Sequence, residues 1–375
     1  MKDICLNGKE YCSGCEACAN ACVHDAIYMK PDWRGFMYPV INHDKCVDCG
    51  LCQKICPANK VNNKPFVFSE AAVYIDKDEQ NLQRASSGGA FGTVARYVLA
   101  QGGVVFGCCM DEEYNVKFIS VNNVEDLKKL HGSKYVQAKV GMIYREVKDT
   151  LKAGRLALLC ACPCHIAGLK AYLRKDYDNL ITIDLICHGV PSQPYFRHYV
   201  KDLLSRKAKM GITTFRFRYK SETECSNTQH ITSSKKNVYV GFYNKDYYMT
   251  YFLWGKGYRD SCYKCRYPGA ERGGDFTIGD FWNNVNAKLP IDVSNGSSVV
   301  FFNTNKAKSL KYIFQKDSYF EPLPTFEMAM GREGGQMKHP SKTDFRSKMI
   351  YIMYRIFGLW GPKIMFMFEQ LRMKK

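Results

Sequence analysis

Short apolar runs, separated by polar or glycine-rich stretches, predict an alternation of strands and helices along most of the chain. Near the N-terminus, two short strands at 26–29 and 36–41 are separated by a turn at 31–35. Beyond residue 70 the runs have the lengths of buried strands and of helices. The predicted strands lie at 71–75, 104–107, 155–159 and 180–186, and the predicted helices at 91–101, 165–173 and 194–204. Strand–helix–strand units usually give parallel strands, so the pattern favours an α/β fold, mixed α+β over the whole chain.

The C-terminal stretch, residues 345–375, is rich in Met, Ile, Phe, Arg and Lys. Gly358 and the Gly-Pro pair at 361–362 divide it into two amphipathic helices. Its apolar runs stay below the roughly 20 residues that a bilayer crossing needs, because basic residues interrupt them. We expect these helices to dock on the protein's own core or on another subunit, or to lie on an anionic membrane surface.

Two runs of cysteines dominate the first sixty residues, and each has the spacing C-x2-C-x2-C-x3-C. The first comprises Cys12, Cys15, Cys18 and Cys22, and the second Cys46, Cys49, Cys52 and Cys56, followed by Pro57. Two-residue spacers bring three thiolates of a 4Fe-4S cube from one loop, and the fourth cysteine of each run ligates the other cube. The predicted ligand sets are Cys12, Cys15, Cys18 and Cys56 for one cube, and Cys46, Cys49, Cys52 and Cys22 for the other. Zinc ribbons, which usually have a longer gap between CxxC pairs, and a disulfide framework are the alternatives.

The clustering of the 18 cysteines indicates metal binding rather than secreted disulfides. Residues 1–10 contain no apolar core of a secretory signal. We therefore expect a reducing, cytoplasmic setting, with the inner face of the membrane as a peripheral location. The length allows a ferredoxin module at 1–62, a larger unit with parts at 63–150 and 151–335, and a basic helical tail at 336–375.

The formal net charge of +18 raises the question of nucleic acid binding. Four thiolates leave an oxidised cube with a net charge of about −2, so three cubes would lower the total to roughly +12. No nucleic-acid motif accompanies the remaining excess, and we expect no nucleic acid partner. The excess suits acidic ligands, an acidic partner or an anionic membrane surface.

Two short segments have the composition of a phosphate or cofactor site. Residues 86–89, with the sequence Ser-Ser-Gly-Gly, precede the helix at 91–101. Either serine can cap the helix, and the glycines let a ligand approach its free N–H groups, which favour phosphate. A plain N-cap with a packing glycine is the alternative. Residues 132–137 place a cation, an aromatic ring and an amide together, a composition compatible with a flavin or its pyrophosphate.

Further cysteines lie beyond the first sixty residues. Cys164 and Cys187 each follow a predicted strand, and parallel strands would open both loops at one sheet edge. Cys262 and Cys265 would complete a third cube with them. The alternative is a pair of buried thiols beside an unrelated CxxC, either a zinc half-site or a redox pair. Cys160 and Cys162 are alternatives to Cys164 as ligands, Cys108 and Cys109 are expected to be small buried hydrophobes, and Cys5 and Cys225 are expected to ligate nothing.

Residues 214–220 alternate aromatic and basic side chains, as a half-buried strand does. Arg216, Arg218 and Lys220 then share one face. Such a face is usually solvated, and the alternative is that it receives an anionic substrate.

Six motifs together resemble the beta subunit family of coenzyme F-420 hydrogenase/dehydrogenase. They are SGGAF at 87–91, GSKYVQ at 132–137, PCHIAGL at 163–169, ICHGVPS at 186–192, SCYKC at 261–265 and DFTIGDFW at 275–282. Their order is that of the family, and they cover residues 70–285. A ferredoxin module in front of them is a frequent family arrangement.

The resemblance implies an FAD and a third 4Fe-4S cube beside the two N-terminal ones. The implied FAD-binding residues are Ser86, Ser87, Gly88, Gly89, Ser133, Lys134, Tyr135 and Gln137, and the implied ligands of the third cube are Cys164, Cys187, Cys262 and Cys265. His165 stands where many relatives have glutamine, and the additional Cys160 and Cys162 depart from the family's pattern.

The expected function is that of an FAD- and iron–sulfur-dependent oxidoreductase. Two-electron chemistry on an organic substrate would be coupled to one-electron transfer through the cubes, to or from ferredoxin or another redox protein. Deazaflavins, nicotinamides, sugars and tetrapyrroles are the candidate substrate classes. His188, beside a predicted ligand at the sheet edge, is the candidate catalytic proton donor by position alone. One alternative is a non-catalytic electron-transfer subunit of a larger redox complex. The other is a scaffold protein whose metal sites only stabilise the fold and take no part in redox chemistry.

Overall fold

The computed structural model describes residues 4–60, 64–207, 215–220, 225–226, 229–232, 238–283, 293, 295–316, 318–331 and 334–373. Within these ranges, no helix is both long enough and apolar enough to cross a bilayer.

The N-terminal module repeats one local fold after 34 residues. Helices α1 (Ala17–Ala21) and α2 (Leu51–Ile55) each begin after a residue with left-handed backbone and end at a cysteine with extended backbone. The equivalent pairs are Glu16 and Gly50 at the starts, and Cys22 and Cys56 at the ends. The two cysteine runs therefore form equivalent loop–helix units.

The two predicted N-terminal strands are confirmed as an antiparallel hairpin of β1 (Ile27–Pro31) and β2 (Met37–Ile41). The turn between them is closed by hydrogen bonds from the Asp32 N–H to the Phe36 carbonyl and from the Gly35 N–H to the Asp32 carbonyl. The hairpin lies between the two cysteine runs in sequence.

One mixed sheet of eight strands forms the centre of the molecule, in the order β14-β3-β13-β12-β7-β6-β4-β5. Its strands are β3 (Ala71–Asp76), β4 (Val104–Met110), β5 (Val116–Val121), β6 (Ala157–Ala161), β7 (Leu180–Leu185), β12 (Phe276–Asp280), β13 (Ser298–Phe302) and β14 (Ser318–Leu323). Short pairs outside it are β8 (Tyr219–Lys220) with β9 (Cys225–Ser226), and β10 (Gln229–Thr232) with β11 (Val238–Gly241). The sheet includes strands from both 63–150 and 151–335, so these segments are parts of one unit.

The middle of the sheet is parallel, as the strand–helix–strand pattern predicts. β4 pairs with β6, β6 with β7 and β7 with β12, all in parallel. The carboxyl ends of these strands therefore meet at one edge, where open α/β sheets bind ligands.

Helices connect the strands and cover the sheet. They are α3 (Glu79–Arg84), α4 (Ala90–Ala100), α5 (Ile143–Lys152), α6 (Pro163–Leu173), α7 (Gln193–Lys207), α8 (Tyr247–Leu253), α9 (Asp260–Tyr263), α10 (Asn305–Ser309), α11 (Phe326–Met330), α12 (Gly335–Lys338), α13 (Phe345–Phe357) and α14 (Trp360–Met373). The predicted helices at 91–101, 165–173 and 194–204 correspond to α4, α6 and α7.

Successive residues of the parallel strands pack alternately into two hydrophobic cores, one on each face of the sheet. Leu159 packs in one core and Leu158 in the other. The core around Leu159 also contains Phe36 of the N-terminal module and Tyr351 of α13. The module and the C-terminal helices are thus packed against the central domain through a shared core.

The predicted half-buried strand at 214–220 is wrong in most of its length, and residue 214 lies outside the described residues. Only Tyr219 and Lys220 form a strand, which pairs with β9. The expected solvated basic face holds for Arg216, which is exposed, but not for Arg218, which is 5% exposed, or Lys220, which is 7% exposed. Arg218 pairs with Asp280, 62 residues later in the sequence, which local periodicity cannot reveal.

Candidate functional site

The first cysteine group combines both halves of the N-terminal module. Burial raises the pKa of the Cys18 thiol, and three neighbouring thiols raise it further. These neighbours are Cys15, Cys12 and Cys56. The structure therefore brings together the four residues predicted to hold one cube.

The second group lines a cavity of about 50 Å³ beside α1 and α2. Its thiols are those of Cys22, Cys46, Cys49 and Cys52. Cys22 comes from the first run and the other three from the second. The fourth cysteine of the first run therefore lies with the first three cysteines of the second run, as the spacing predicts.

Cys5, predicted to ligate nothing, lies against the first group. A hydrogen bond between its thiol and the Cys56 side chain raises the pKa of Cys5 and lowers that of Cys56 to about 7. The Cys5 sulfur also lies 3.1 Å from the Gly8 carbonyl oxygen. Cys5 is therefore a hydrogen-bonding neighbour of a predicted ligand. The side chain of Cys225 lies outside the described part of the chain.

The third group forms where the sheet edge meets α6 and α9. Cys164 lies in the first turn of α6, Cys187 follows β7, and Cys262 lies in α9. Burial raises the pKa of the Cys164 thiol, and the thiols of its three predicted partners raise it further. These partners are Cys187, Cys265 and Cys262. Cysteines up to 101 residues apart in sequence thus converge.

Cys160 and Cys162 occupy different environments. Cys162, at the N-cap of α6, forms a side-chain hydrogen bond with Cys187, which raises the pKa of Cys162. Cys160 lies in β6, and burial together with the nearby Cys108 raises its pKa. Cys162 is therefore an alternative to Cys164 as a ligand, whereas Cys160 belongs to another wall of the site.

No three His, Cys, Asp or Glu side chains in the described ranges are close enough together to hold a single metal ion. In a 4Fe-4S cube each thiolate binds a different iron. Looser groups of four thiols, such as those around Cys18 and Cys164, are therefore compatible with cubes.

The first and third groups are adjacent. A Cβ atom added at Gly168 of α6 would lie 3.0 Å from Cβ and 3.1 Å from Sγ of Cys15. The Cys15 and Cys164 thiols both raise the pKa of the Tyr267 hydroxyl, after the larger effect of burial. The absence of a side chain at residue 168 allows α6 to contact the N-terminal module.

A cavity of about 390 Å³ connects the third cysteine group with the two candidate cofactor segments. Its walls include Ser86, Ser87, Gly89, Ser133, Lys134, Tyr135, Gln137, Cys164, Cys187, His188, Cys262 and Cys265. This volume lies within the ordinary range of ligand pockets. Apart from Gly88, every residue implied for FAD or the third cube lies in this wall.

The loop before α4 differs in detail from the prediction. The N-cap is Gly89, with φ of 93°, and no side chain caps the helix, so the predicted serine cap is wrong. The Ser86 hydroxyl instead accepts from the Ser133 N–H at 2.7 Å, and the Ser87 hydroxyl donates to the Ser297 carbonyl at 2.6 Å. The first turn of α4 therefore presents uncapped N–H groups to the cavity.

Gly88 has a packing role. A Cβ atom there would lie 2.1 Å from the Tyr74 carbonyl oxygen and 2.6 Å from the Ser298 nitrogen. The backbone of this loop thus approaches β3 and β13 too closely for any side chain. The packing-glycine alternative describes this position.

The 132–137 segment places three different groups around the cavity. The Lys134 ammonium donates to the carbonyls of Leu130 and His131, and burial lowers its pKa to about 8. The Tyr135 ring stacks on Phe252 with 4.4 Å between ring centroids. Gln137 is 6% exposed and accepts a hydrogen bond from Arg259. A buried cation and an aromatic surface therefore face the same space.

Two cavity residues that the motifs do not mark have buried polar atoms without a protein partner. They are Asn81, through Oδ1, and His131, through both ring nitrogens. Burial lowers the pKa of His131 to about 4, so the ring is neutral near pH 7. Buried polar atoms usually find hydrogen bonds, so these atoms indicate contact with a polar ligand. Asn81 lies five residues before Ser86 but belongs to no motif, whereas only the folded chain brings His131 beside Phe91.

His188 lies in the cavity wall, as its position after β7 predicts. Its Nδ1 lies 3.2 Å from Nε2 of Gln336, and burial lowers its pKa. An amide nitrogen donates, so Nδ1 accepts and the neutral ring has its proton on Nε2. His188 is therefore oriented, with its Nε2–H available as a hydrogen-bond donor.

The residues fit the groups that the resemblance implies. The uncapped amides of α4, the Lys134 ammonium and the unpartnered atoms of Asn81 and His131 suit a phosphorylated, polar ligand such as FAD. The groups of four thiols suit 4Fe-4S cubes. The cavity thus has polar groups suited to a phosphorylated ligand, and it lies beside a cysteine group that adjoins a second one.

Sequence comparison identifies two regions. Residues 154–324 match the family model that describes the C terminus of the beta subunit of coenzyme F420 hydrogenase/dehydrogenase. Residues 11–60 match the 4Fe-4S dicluster domain.

Similar proteins include two ferredoxins and one hydrogenase complex. A ferredoxin of Alicyclobacillus acidocaldarius subsp. acidocaldarius is 35% identical over 61 residues, covering 16% of this chain and 72% of that protein. A 7Fe ferredoxin of Hydrogenibacillus schlegelii is 31% identical over 87 residues, covering 22% of this chain and 95% of that protein. A chain of the F420-reducing [NiFe] hydrogenase complex from Methanosarcina barkeri, solved with xenon, aligns with a TM-score of 0.50. It is 16% identical and the alignment covers 79% of this chain and 94% of that one, so this likeness concerns the fold.

Proposed function

Because the chain belongs to the coenzyme F420 hydrogenase/dehydrogenase beta subunit family and carries a 4Fe-4S dicluster domain, we propose that it is an iron–sulfur flavoprotein oxidoreductase. It would couple two-electron chemistry of FAD on an organic substrate to one-electron transfer through 4Fe-4S cubes. A ferredoxin or another redox protein would be the one-electron partner, and the protein would work in the cytoplasm.

The observation that carries the proposal is the shared cavity. Its wall contains both segments proposed for FAD and the four cysteines proposed for a third cube. At Gly168, α6 brings this wall against Cys15 of the first N-terminal group. Such adjacency supports a continuous path between an organic cofactor and the N-terminal cubes.

The protein's contribution is binding and orientation. The N–H groups at the start of α4 and the Lys134 ammonium would hold the phosphates of the FAD. The rings of Tyr135 and Phe252, stacked on each other, form a rigid part of the wall. When bound, FAD would supply electron-pair exchange with the substrate and the cubes single-electron transfer.

His188 is the proposed proton donor. Its Nε2 proton is oriented by the contact of Nδ1 with Gln336. Burial lowers the pKa of this ring, so near pH 7 it is neutral and offers its Nε2–H to the substrate as a hydrogen-bond donor. Transfer of a proton to the substrate would require the ring to be protonated first. The aromatic ring of Phe252, 5.9 Å away between centroids, restricts its movement.

Anaerobic purification with quantitation of iron, sulfide and extracted flavin tests the proposal. We expect about twelve irons and one FAD per chain, because three cubes need four irons each. Cys265→Ala should lower the iron to about eight and leave the two N-terminal cubes. Cys109→Ala, which changes a core thiol outside the three groups, is the matched control. Iron near eight in the unaltered protein would exclude the third cube, and colourless protein would exclude the whole proposal.

The same measurement decides which cysteine of the α6 loop is the ligand. Cys164→Ala should lower the iron to about eight, whereas Cys162→Ala should not. The opposite result would assign the ligand to Cys162, which forms the hydrogen bond with Cys187.

Flavin binding is tested separately. Lys134→Met keeps the apolar length of the side chain and removes its charge, so the FAD content should fall while iron is retained. Lys139→Met, an exposed lysine in the same stretch of chain, should retain both. Equal FAD contents in the two variants would contradict the assigned cavity.

The alternative function is that of a non-catalytic electron-transfer subunit. It is favoured by the fold likeness to a chain of a hydrogenase complex. Reduction of an organic acceptor by the isolated, cofactor-loaded chain with reduced ferredoxin supports the enzyme. Activity that requires a co-purifying catalytic subunit supports the relay.

A further inference from the structure

The two C-terminal helices present an apolar stripe to solvent. On α13 the stripe consists of Phe345, Ile352 and Ile356, and on α14 of Trp360, Ile364, Met367, Phe368 and Leu371. Spacings of three, four and seven residues put these side chains on one side of each helix. Trp360 is 70% and Phe368 64% exposed. Exposed residues of this size and spacing mark an interaction surface rather than single surface hydrophobes.

The opposite side of each helix is already packed. Ile350 and Tyr351 of α13 are buried in the core of the central domain, and Met365 and Phe366 of α14 pack against it. Docking on the protein's own core therefore uses one side only. The outward stripe is a second apolar surface, which this docking leaves exposed.

Within the two helices the exposed charges beside the stripe are basic, and Asp344, at the N-cap of α13, is paired with Lys256 at 2.6 Å. Lys348 and Arg355 lie on the outward side of α13, within one turn of Ile352. Between residues 345 and 375 the sequence has a single acidic residue, Glu369. Glu369 is 7% exposed and its carboxylate lies 3.3 Å from the Arg346 guanidinium. The outward surface of the described part of these helices is therefore apolar and basic.

The surface continues onto the N-terminal module. The Arg355 guanidinium lies 5.8 Å from the centre of the Trp33 ring, at the turn of the β1–β2 hairpin. Trp33 is 54% exposed. Tryptophan is enriched where membranes meet water, because its ring is apolar and its N–H polar.

We propose that the outward side of α13 and α14, together with Trp33, binds the surface of an anionic lipid bilayer. Helices of 13 and 14 residues are roughly 20 Å long, too short for a hydrocarbon core of about 30 Å, so they lie in the interface. Acidic headgroups complement the basic side chains while the stripe enters the acyl region. A second copy of this chain is disfavoured because its surface has the same charge. The proposal does not depend on the oxidoreductase function.

Vesicle sedimentation under argon tests it with the full chain. Vesicles of phosphatidylcholine alone are compared with vesicles containing about 30% phosphatidylglycerol. We expect binding to the anionic vesicles only, weakened by salt. Lys348→Gln with Arg355→Gln should lower the partition coefficient about 30-fold. The control pair Lys152→Gln with Lys170→Gln removes the same charge elsewhere and should bind like the unaltered protein.

The apolar contribution is tested with Trp360→Glu and Phe368→Glu. Each changes an exposed side chain, so iron content should be unchanged, and binding should fall about tenfold or more. The control Val124→Glu changes an exposed side chain in the loop after β5, which is not part of the proposed membrane-binding surface, and this variant should bind vesicles normally. The proposal is overturned if the unaltered protein ignores anionic vesicles, or if Trp360→Glu binds them equally well. It is also overturned if Trp360→Glu converts a dimer to a monomer, or releases an acidic partner protein, without affecting vesicle binding.

Discussion

The Nη2 atom of Arg259 lies 3.7 Å from the sulfur of Cys12. This guanidinium is completely buried, and its other N–H groups donate to the carbonyls of Cys12 and Met37. It also lies 4.0 Å from the centre of the Tyr38 ring. A permanent positive charge thus sits beside a proposed cluster ligand, where the N-terminal module meets the central domain.

Replacing Arg259 should change the potential of the first N-terminal cube. Hydrogen bonds to the sulfurs and nearby positive charge favour the reduced, more negative cluster. Loss of one charge-assisted hydrogen bond, in Arg259→Gln, should lower the potential by roughly 60 mV or more. An EPR-monitored redox titration measures the potential of this cube. The potential of Arg259→Lys should lie between those of Arg259→Gln and the unaltered protein.

The control for this measurement is Arg155→Gln. Arg155 donates to the Gly102 and Gly103 carbonyls, far from the cysteine groups, so its removal should leave all cluster potentials unchanged. Equal potentials in Arg259→Gln and the unaltered protein would mean that Arg259 only joins the two parts of the fold.

Gly168→Ala should disturb the contact between the first and third cysteine groups. The added Cβ would lie 2.8 Å from the Tyr144 hydroxyl and about as close to Cys15. Alanine favours a helix over glycine by about 1 kcal/mol, but overpacking a tight core usually costs about 1–3 kcal/mol. The clash should prevail, and Cys15 should move.

Iron quantitation and EPR check this prediction. We expect loss of up to about four irons per chain, from the cube that Cys15 ligates. Gly273→Ala is the control, since its nearest neighbour would be a methyl carbon of Ile166 at an ordinary 3.5 Å. Full iron content with an unchanged spectrum in Gly168→Ala would show that α6 can move away without cost.

The sequence predicts the parallel centre of this fold well because its signals are local. Apolar runs of strand length, each ended by a helix, define β6, α6 and β7 wherever they pack. The 34-residue repeat of the cysteine runs similarly determines two equivalent loops, since each loop depends only on its own spacing.

Features that depend on distant partners were not predictable. Ser87 could have capped α4, but its hydroxyl donates to Ser297, 210 residues later. Arg218 is buried because Asp280 neutralises it. Arg259 belongs to no motif, and only the packed fold reveals that it lies beside Cys12.

Asp184→Asn should strongly destabilise the sheet edge that carries Cys187. The Asp184 carboxylate is fully buried and lies 2.6 Å from the Arg272 guanidinium. It also accepts from the Gly274 N–H and the Thr277 hydroxyl. Removing its charge leaves a buried guanidinium uncompensated, which typically costs about 3–5 kcal/mol.

Urea unfolding of the reconstituted protein measures this loss. Asp126→Asn is the matched control, because Asp126 pairs with Lys129 at 2.6 Å at the surface, with the two side chains 40% and 52% exposed, and such pairs contribute little. Similar unfolding midpoints for the two variants would show that the Asp184–Arg272 pair is replaceable.

His131 should make the folded state less stable as the pH falls below neutrality. Burial and four nearby basic groups lower its pKa in the folded protein to about 4, against 6.5 for an exposed imidazole. These groups are Lys134, Arg84, Arg96 and Arg216. As the pH falls through 6.5, the imidazole becomes protonated in the unfolded chain but not in the folded one. The free energy of unfolding therefore decreases from about pH 6.5 towards pH 4. Between pH 7.5 and 5.0 the loss of folding stability should reach about 2 kcal/mol.

His131→Gln removes this titration, so the stability difference between the variant and the unaltered protein should shift by that amount across the same interval. Comparing proteins with the same clusters cancels the acid sensitivity of the clusters themselves. A pH-independent difference for His131→Gln would mean that its ring takes up a proton equally readily in the folded and unfolded protein.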